Sequence, residues 1–596
     1  MYSLNKVLSD FFANFAAFFI KRMQIKFLQD FQPALFQSLR TYNKEKFVAD
    51  IMSGLIVGVV ALPLAIAFGI ASGVTPEKGI YTAIIAGFII SFLGGSTVQV
   101  GGPTGAFIVI VYGIVEQYGV PGLTLATVLA GIMMVMLGFL KLGAVIKFIP
   151  FPIVVGFTSG IALTIFSTQM KDFFGLTTPK LPSGFIEKWI AYFHYFPTIN
   201  WWAALISVAS VLIIIVSPKI YKKIPGSLIA IVVMTVAAYL LKTYGNIQGI
   251  ETIGDRFIIN SQLPAVESIS LSLESVRLLF PAAFTIAMLG SIESLLSATV
   301  ADGVTGKKHN SNMELVAQGA ANIITPFFGG IPATGAIART MTNINNGGRT
   351  PVAGIIHAVV LLLIVLFLGD LTKHIPMACL AGVLVVVAYN MSEWRTFLSL
   401  TKQSRSTLAI LLTTFFLTVI FDLTIAIAVG LLLAVFAFLK RMNESTQISH
   451  TTGSIDISKE MESHSQDMKE EVLLLPQGVE VYEIDGPFFF GVANKFDEMM
   501  REIGQHPNIR IIRMRKVPFI DSTGLNNLET LCRHSKKEKI HVILSGVREN
   551  IRESLYQSKI PQIVGDENIC SDIHKAVARA REIDAELPKE LKQKHR

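Results

Sequence analysis

The sequence predicts an α-helical polytopic membrane protein of fourteen membrane segments in a seven-plus-seven inverted repeat, followed by a small α/β domain. Three observations predict it. Hydrophobic residues make up 52% of the chain and charged residues only 16%, against about 25% charged in soluble proteins. Apolar runs broken by short polar loops fill residues 48–440, and the pattern turns polar near residue 440. A glycine- and proline-containing motif occurs twice, at matching places in the two halves of the apolar region.

Residues 1–47 lack the short apolar core and small-residue cleavage site of a secretory leader. They alternate aromatic and basic residues (Phe11, Phe12, Phe15, Phe18 and Phe19, then Lys21, Arg22 and Lys26), a composition suited to lying along a membrane surface. A spanning helix needs about 20 apolar residues. Fourteen candidates begin near Ser53, Lys78, Pro103, Gly122, Phe151, Trp201, Gly226, Pro281, Met313, Ala333, Pro351, Pro376, Ser406 and Asp422, some too short to span alone. An even number puts both ends on one side. With the N-terminus inside, the inner loops carry Lys141 and Lys147, then Lys219, Lys222 and Lys223, then Lys307 and Lys308, Arg349, and Arg395, Lys402 and Arg405. The outer loop 244–279 sets Glu251, Asp255, Glu267 and Glu274 against Arg256 and Arg277. Basic residues gather on the cytoplasmic side of membrane proteins, so both termini are expected there, in a cell inner (plasma) membrane. The same rule accounts for the net charge of +8 without nucleic acid.

Residues 441–470 are polar without an apolar period and read as a linker. From 471 to 585 a second domain is expected. Short strands are predicted at Val472–Leu475, Val479–Ile484 and Ile509–Met514, with a helix over Phe496–Ile503. Cys379, Cys532 and Cys570 are far apart and show no metal or disulfide spacing.

The repeated motif points to a site. Gly101-Gly102-Pro103-Thr104-Gly105-Ala106 opens the third segment, and Gly329-Gly330-Ile331-Pro332-Ala333-Thr334-Gly335-Ala336 opens the tenth. Each is the third of its seven. Seven is odd, so the second half enters the membrane from the opposite side and the repeats are inverted. Short, Gly/Pro-interrupted segments at matching places mark a transporter's binding site. A half-helix starting inside the membrane leaves its first N–H groups unpaired and its positive dipole end exposed. Two such starts facing each other form a cradle for an anion. The competing reading makes both motifs simple turns between helices.

A charge in the bilayer is costly and usually marks a function. Glu293 lies in the apolar run 282–300, and Gly290, Glu293, Ser294, Ser297 and Ala301 share one helical face. Such a carboxylate could carry a proton or bind Na⁺; the alternative is a structural Glu bonded to a half-helix start. Arg339 lies at the end of the second half-helix and either attracts the anion or faces cytoplasmic water. Phe68 is core, lipid-facing or part of the site. Asp422 reads as a loop or cap residue, and Gln318 and Asn322 as interhelical glue.

Taken together, these residues resemble the SulP anion transporters over about residues 45–570. The matching motifs are Ala61-Leu62-Pro63 with Ala67-Phe68, Gly79-Ile80-Tyr81, Gly102-Pro103-Thr104, Gly156-Phe157-Thr158-Ser159-Gly160, Ile292-Glu293-Ser294-Leu295-Leu296 and Pro332 to Arg339. Asp521-Ser522-Thr523-Gly524-Leu525 resembles a STAS domain. The resemblance implies a core domain moving against a gate domain in an elevator-like manner, and a homodimer. It implies an anion site at Phe68, Gly102, Pro103, Thr104, Gly105, Gly335, Ala336, Ile337, Ala338 and Arg339. Ion coupling, to H⁺ or Na⁺, would fall to Glu293 with Ser297 one turn on. Ser522 resembles the phosphorylated serine of anti-sigma antagonist proteins, a regulatory position with a STAS partner. Two departures stand out. Leu64 follows Pro63 where many relatives carry Gln or Glu, and Ala338 replaces a serine of some animal members.

The wording of the first span and of residues 156–160 is most like a bacterial dicarboxylic-acid branch, with bicarbonate and sulfate as the other substrates of the family. A nucleobase–cation symporter would want an acid in the tenth segment, which offers Thr334, Arg339 and Thr340 instead. An anion channel-like uniporter keeps the same site with one gate leaking. An enzyme or a bound cofactor is not expected: the chain offers no nucleotide loop, metal cluster or nucleophile–base pair.

Overall fold

The computed structural model describes residues 31–146, 150–178, 181–182, 184–220, 225–245, 247, 249–257, 272–421, 423–456, 472–492 and 507–587. The aromatic and basic stretch at Phe11–Lys26, the helix expected at Phe496–Ile503, and Lys147, Lys222, Lys223, Glu267 and Asp422 lie outside them. The chain divides into two compact units, residues 1–433 and 434–596.

The first unit begins, after a short helix at Ala34–Leu39, with α1 (Lys44–Ala71) and α2 (Pro76–Leu93). The Asn43 side chain caps α1 by accepting from Lys46 N, so α1 starts earlier than the expected Ser53. Strand β1 (Gly101–Gly102) leads through one 3₁₀ turn into α3 (Ile108–Phe139). Gly119, with φ 69° and ψ −177°, breaks α3 into a half-helix and a second arm; only glycine takes that backbone without strain. These two arms are the third and fourth membrane segments. Then follow α4 (Phe151–Phe174), α5 (Trp201–Ile220), α6 (Gly226–Thr243), α7 (Leu273–Thr305) and α8 (Ser311–Ile324). Helix α7 starts eight residues before Pro281, because the Ser272 side chain caps it and the proline sits inside. Strand β2 (Thr334–Gly335) precedes α9 (Ile337–Asn345), and α10 (Val352–Thr372), α11 (Met377–Met391), α12 (Arg405–Ile420) and α13 (Leu423–Ser445) complete the fourteen segments. Among the described residues nine helices are long and apolar enough to cross a membrane, counting α3 once. The two shortest segments, the first arm of α3 and α9, are those that follow the duplicated motifs.

The helices sort into two packed groups. In one, α10 lies on α1, α2 on both, α8 on α2 and the second arm of α3, and α7 on α3 and α9. In the other, α4 packs on α11 and α12, and α5 on α6 and α11. Glycines permit the close crossings: a Cβ on Gly131 would sit 2.7 Å from the Gly319 carbonyl oxygen, and one on Gly54 2.7 Å from that of Ala353. Close backbone approach through small residues is how helices associate in lipid. Buried Asp50 on α1 accepts from the backbone N–H groups of Arg349 and Thr350 at 3.0 and 3.3 Å, which fixes the loop before α10.

In the second unit, β3 (Gln447–Thr452), β6 (Val479–Asp485), β7 (Ile509–Lys516), β8 (His541–Ser545) and β9 (Ile569–Cys570) form one sheet in that order. Between β3 and β6 in the chain, β4 (Ser454–Asp456) pairs with β5 (Val472–Leu474) in a separate ribbon. The pairing of β3 with β6 is antiparallel, and those from β6 to β9 are parallel. Residues 447–456 therefore belong to strands, which corrects the linker expected from 441. Helices α14 (Ser522–Lys537), α15 (Glu549–Tyr556), α16 (Ile560–Val564) and α17 (Ile573–Glu586) complete the unit. Alternate residues of β6 and β7 point to opposite faces. Tyr482, Ile484, Ile512 and Met514 face one core with Leu528 and Leu555; Val479, Val481, Ile509 and Ile511 face the other with Ala576 and Ala580. Covering both faces is the usual condition of a parallel sheet.

Candidate functional site

The two copies of the motif meet. Strands β1 and β2 pair antiparallel, Gly101 opposite Gly335 and Gly102 opposite Thr334. Ala336 N donates to Val100 O at 3.0 Å, and Val100 N donates to the Thr340 hydroxyl at 3.1 Å. Asn343 donates to Val98 O at 2.8 Å and holds the Ser53 hydroxyl of α1. The start of α9 is thereby fixed to the strand that precedes α3.

Both half-helices start without a side-chain cap, at Thr104 and Phe107 on one side and at Ala336 on the other. Thr104, Phe68, Gly102, Pro103, Gly105, Gly335 and Ala336 are buried, whereas Ile337 and Ala338 are exposed. The first turn of α9 is thus uncapped and carries two exposed residues, and a helix start of that kind attracts an anion. Phe68 faces this centre: a Cβ on Gly105 would come within 3.6 Å of its ring and of Ile165, and 2.8 Å of Met391 Sδ. Helices α1, α4 and α11 therefore reach the same place, so both packed groups contribute.

Glu293 on α7 is half-buried and accepts from the Thr104 hydroxyl at 2.9 Å. Its partner is thus a side chain at the half-helix start, not a backbone N–H. Ser297, one turn on, lies 3.4 Å from Thr340 Oγ1, so it meets α9 instead of Thr104. Arg339 corrects two expectations: it sits in the first turn of α9, not at its end, and it does not face water. It is 3% exposed and donates to Gly101 O at 3.3 Å and Pro103 O at 3.1 Å. The guanidinium spans the two motifs and lies in electrostatic reach of Glu293. A Cβ on Gly102, whose φ is +150°, would overlap that guanidinium, and one on Gly335 would overlap the Gln99 carboxamide.

The sequence reading missed Gln99, which donates to Ser294 O and Oγ at 3.2 and 3.0 Å; a lone amide two residues before a glycine motif was its signal. It also missed Met391 and a second intramembrane carboxylate, Glu314. That group accepts from Gly95 N at 2.9 Å, Ser96 N at 3.1 Å and Gln318 at 2.8 Å. Gln318 bonds within its own helix, unlike the interhelical role expected of it. Asn322 does bridge, donating to Ala333 O and accepting from Ala333 N. In the second unit Asp521 caps α14 by accepting from Gly524 N at 2.7 Å, and Ser522 is exposed in the first turn.

Half-helices paired at the centre of two helix groups, with an α/β unit following, define a multi-span membrane transporter of the inverted-repeat class. Residues 47–414 match the Sulfate permease family and residues 474–576 the STAS domain. The chain belongs to the sulfate permease family of anion transporters. It is 41% identical to YvdB of Bacillus subtilis (strain 168), whose name assigns it provisionally to sulfate transport, over 88% of this chain and 96% of that one. It is 30% identical to the bicarbonate transporter BicA of a Picosynechococcus strain, over 86% and 90%. In three dimensions it resembles SLC26A9 with a TM-score of 0.82 at 19% identity, covering 98% of this chain and 97% of that one. The BicA transmembrane domain matches with a TM-score of 0.58 at 30% identity, covering 66% and 98%.

Proposed function

We propose that this protein is a secondary active transporter of a small oxyanion, bound between the half-helix starts at Thr104 and Ile337. The observation that carries the reading is the β1–β2 pairing, which brings two uncapped helix starts together beside Glu293. Backbone N–H groups and helix dipoles recognise charge and oxygen geometry, not one substrate. Sulfate and bicarbonate come first as substrates, because relatives are named for them; a C4-dicarboxylate is the third. Ile337, Ala338 and Thr104 contact the anion, Phe68 closes it from α1, and Arg339 braces the two starts while adding positive charge. Glu293 carries the coupling ion, H⁺ or Na⁺. The group of α1–α3 and α7–α10 moves against the group of α4–α6 and α11–α12, in an elevator-like cycle. Both termini are cytoplasmic and the protein works as a homodimer in the plasma membrane.

Uptake of labelled sulfate, bicarbonate and fumarate into proteoliposomes under imposed proton or sodium gradients tests this. Uptake of one anion driven by one gradient is expected. Folded protein that moves none of them would overturn the reading.

A further inference from the structure

A second cavity, of about 620 Å³, opens at the face where α1 ends. Its wall includes Lys78, Tyr112, Lys171, Lys188, Tyr192 and Arg256. It lies outward of the cradle along α4: Ile165 touches the Gly105 position, whereas Thr168, Gln169, Lys171 and Asp172 line the cavity. At about 1.5 Å of rise per residue this places it roughly 5–10 Å further along. Arg256 is committed, to Asp172 at 2.9 Å and Glu251 at 2.6 Å. Lys188 is not. It sits on the surface helix Phe185–Tyr195, only 6% exposed. Its ammonium lies 5.7 Å from the centroid of the Tyr112 ring and makes no hydrogen bond or ion pair among the described residues. Beside it, Tyr192 is 4% exposed and its buried hydroxyl has no hydrogen-bond partner among the described residues. A cation–π contact is worth about 0.5–2 kcal/mol, whereas a desolvated, unpaired ammonium costs several. Burial holds the Lys188 pKa below the usual lysine range, with Glu116 pulling it up.

We propose that this cavity is a second anion-binding site, in which the Lys188 ammonium and the Tyr192 hydroxyl hold an oxyanion in an antechamber to the central cradle. Both groups are donors, and Lys78 and Lys171 add positive charge at the rim. Binding here stands independently of the transport reading; its place on the anion's route rests on that reading.

The neighbouring Trp189, whose ring lies 5.9 Å from that of Tyr192, is a built-in reporter. In full-length protein carrying W201F, W202F and W394F, sodium sulfate and then sodium bicarbonate are titrated against gluconate at constant ionic strength. At least one gives a saturable change in Trp189 emission. Lys188→Gln weakens it by roughly ten- to hundredfold, the loss of a charge-assisted hydrogen bond. Tyr192→Phe, which removes only the hydroxyl, weakens it by roughly three- to tenfold. Lys188→Arg retains it. Thr104→Val lowers uptake and leaves the Trp189 response intact. No saturable response to either anion, or one indifferent to Lys188→Gln in protein with unchanged melting, overturns the site. A Trp189 response without uptake of any anion keeps the site and rejects the transport reading.

Discussion

Glu293 accepts a hydrogen bond from Thr104 at 2.9 Å, across 189 positions of sequence. One carboxylate oxygen is thus held at the start of the first half-helix, where an anion and a coupling ion would meet. Glu293→Gln keeps an acceptor for Thr104 and removes the charge. We expect gradient-driven accumulation to fall to the level of undriven exchange, with the fold intact. Proteoliposome uptake with and without a gradient measures it; unchanged proton and sodium dependence would remove Glu293 from the coupling step.

Gly102 carries φ +150° and faces Arg339 with no room for a methyl group. Gly102→Ala adds backbone strain of about 1–3 kcal/mol, and the overlap displaces the guanidinium. Lower melting in detergent and lost uptake are expected. Because the clash involves Arg339, the double variant with Arg339→Ala should cost less than the sum of the two single variants; strict additivity would refute the steric account.

Arg339→Lys keeps the charge but loses the fork that reaches both Gly101 and Pro103 carbonyls. One buried acceptor is left alone at about 1–3 kcal/mol. If the residue served only as a positive charge, melting would match the wild type.

Burial raises the Cys532 thiol from its ordinary 9.0 to about 12. The protonated form is favoured by the folded state, so this contribution is complete below pH 9 and fades as pH rises towards 12. All three cysteines are buried. A maleimide reagent at pH 8 should leave them unlabelled until denaturant is added, and fast labelling of Cys532 in native protein would contradict the packing around β7 and α14.

Asp521→Ala removes the cap of α14 at a cost of about 1 kcal/mol. Hydrogen exchange in the full-length protein should quicken across residues 522–528. A phosphate on Ser522 would sit beside the Asp521 carboxylate, so Ser522→Glu should gain little from the helix dipole while Asp521 remains. Marked stabilisation of α14 by Ser522→Glu alone would reverse that view.

The segment starts at Phe151, Trp201 and Gly226 were legible because proline, glycine or an aromatic sits at each boundary. The early turns of α1 and α7 were not, since Lys44, Glu45, Lys46, Glu274 and Arg277 read as loop where a helix extends past the hydrocarbon. Strand β3 is polar and largely exposed, so it lacked the alternation that reveals a half-buried strand. The duplicated motif announced both half-helices. The partners of Arg339 could not be read, because they are main-chain carbonyls that every residue possesses. Met391 and Ile165 reach the centre only through the packing of α11 and α4.

Beside the β1–β2 ladder, the Arg339 side chain clasps the Gly101 and Pro103 carbonyls across 238 and 236 positions of sequence. During synthesis at about 5–20 residues per second, Gly101 and Pro103 emerge roughly 10–50 s before Arg339 exists. For that interval the first motif sits in or near the bilayer with unsatisfied polar groups, sheltered only by the helices made alongside it. Biogenesis of this protein therefore has a waiting period built into it. A ribosome pause or truncation anywhere before residue 339 leaves an inserted but incomplete chain for membrane quality control to recognise.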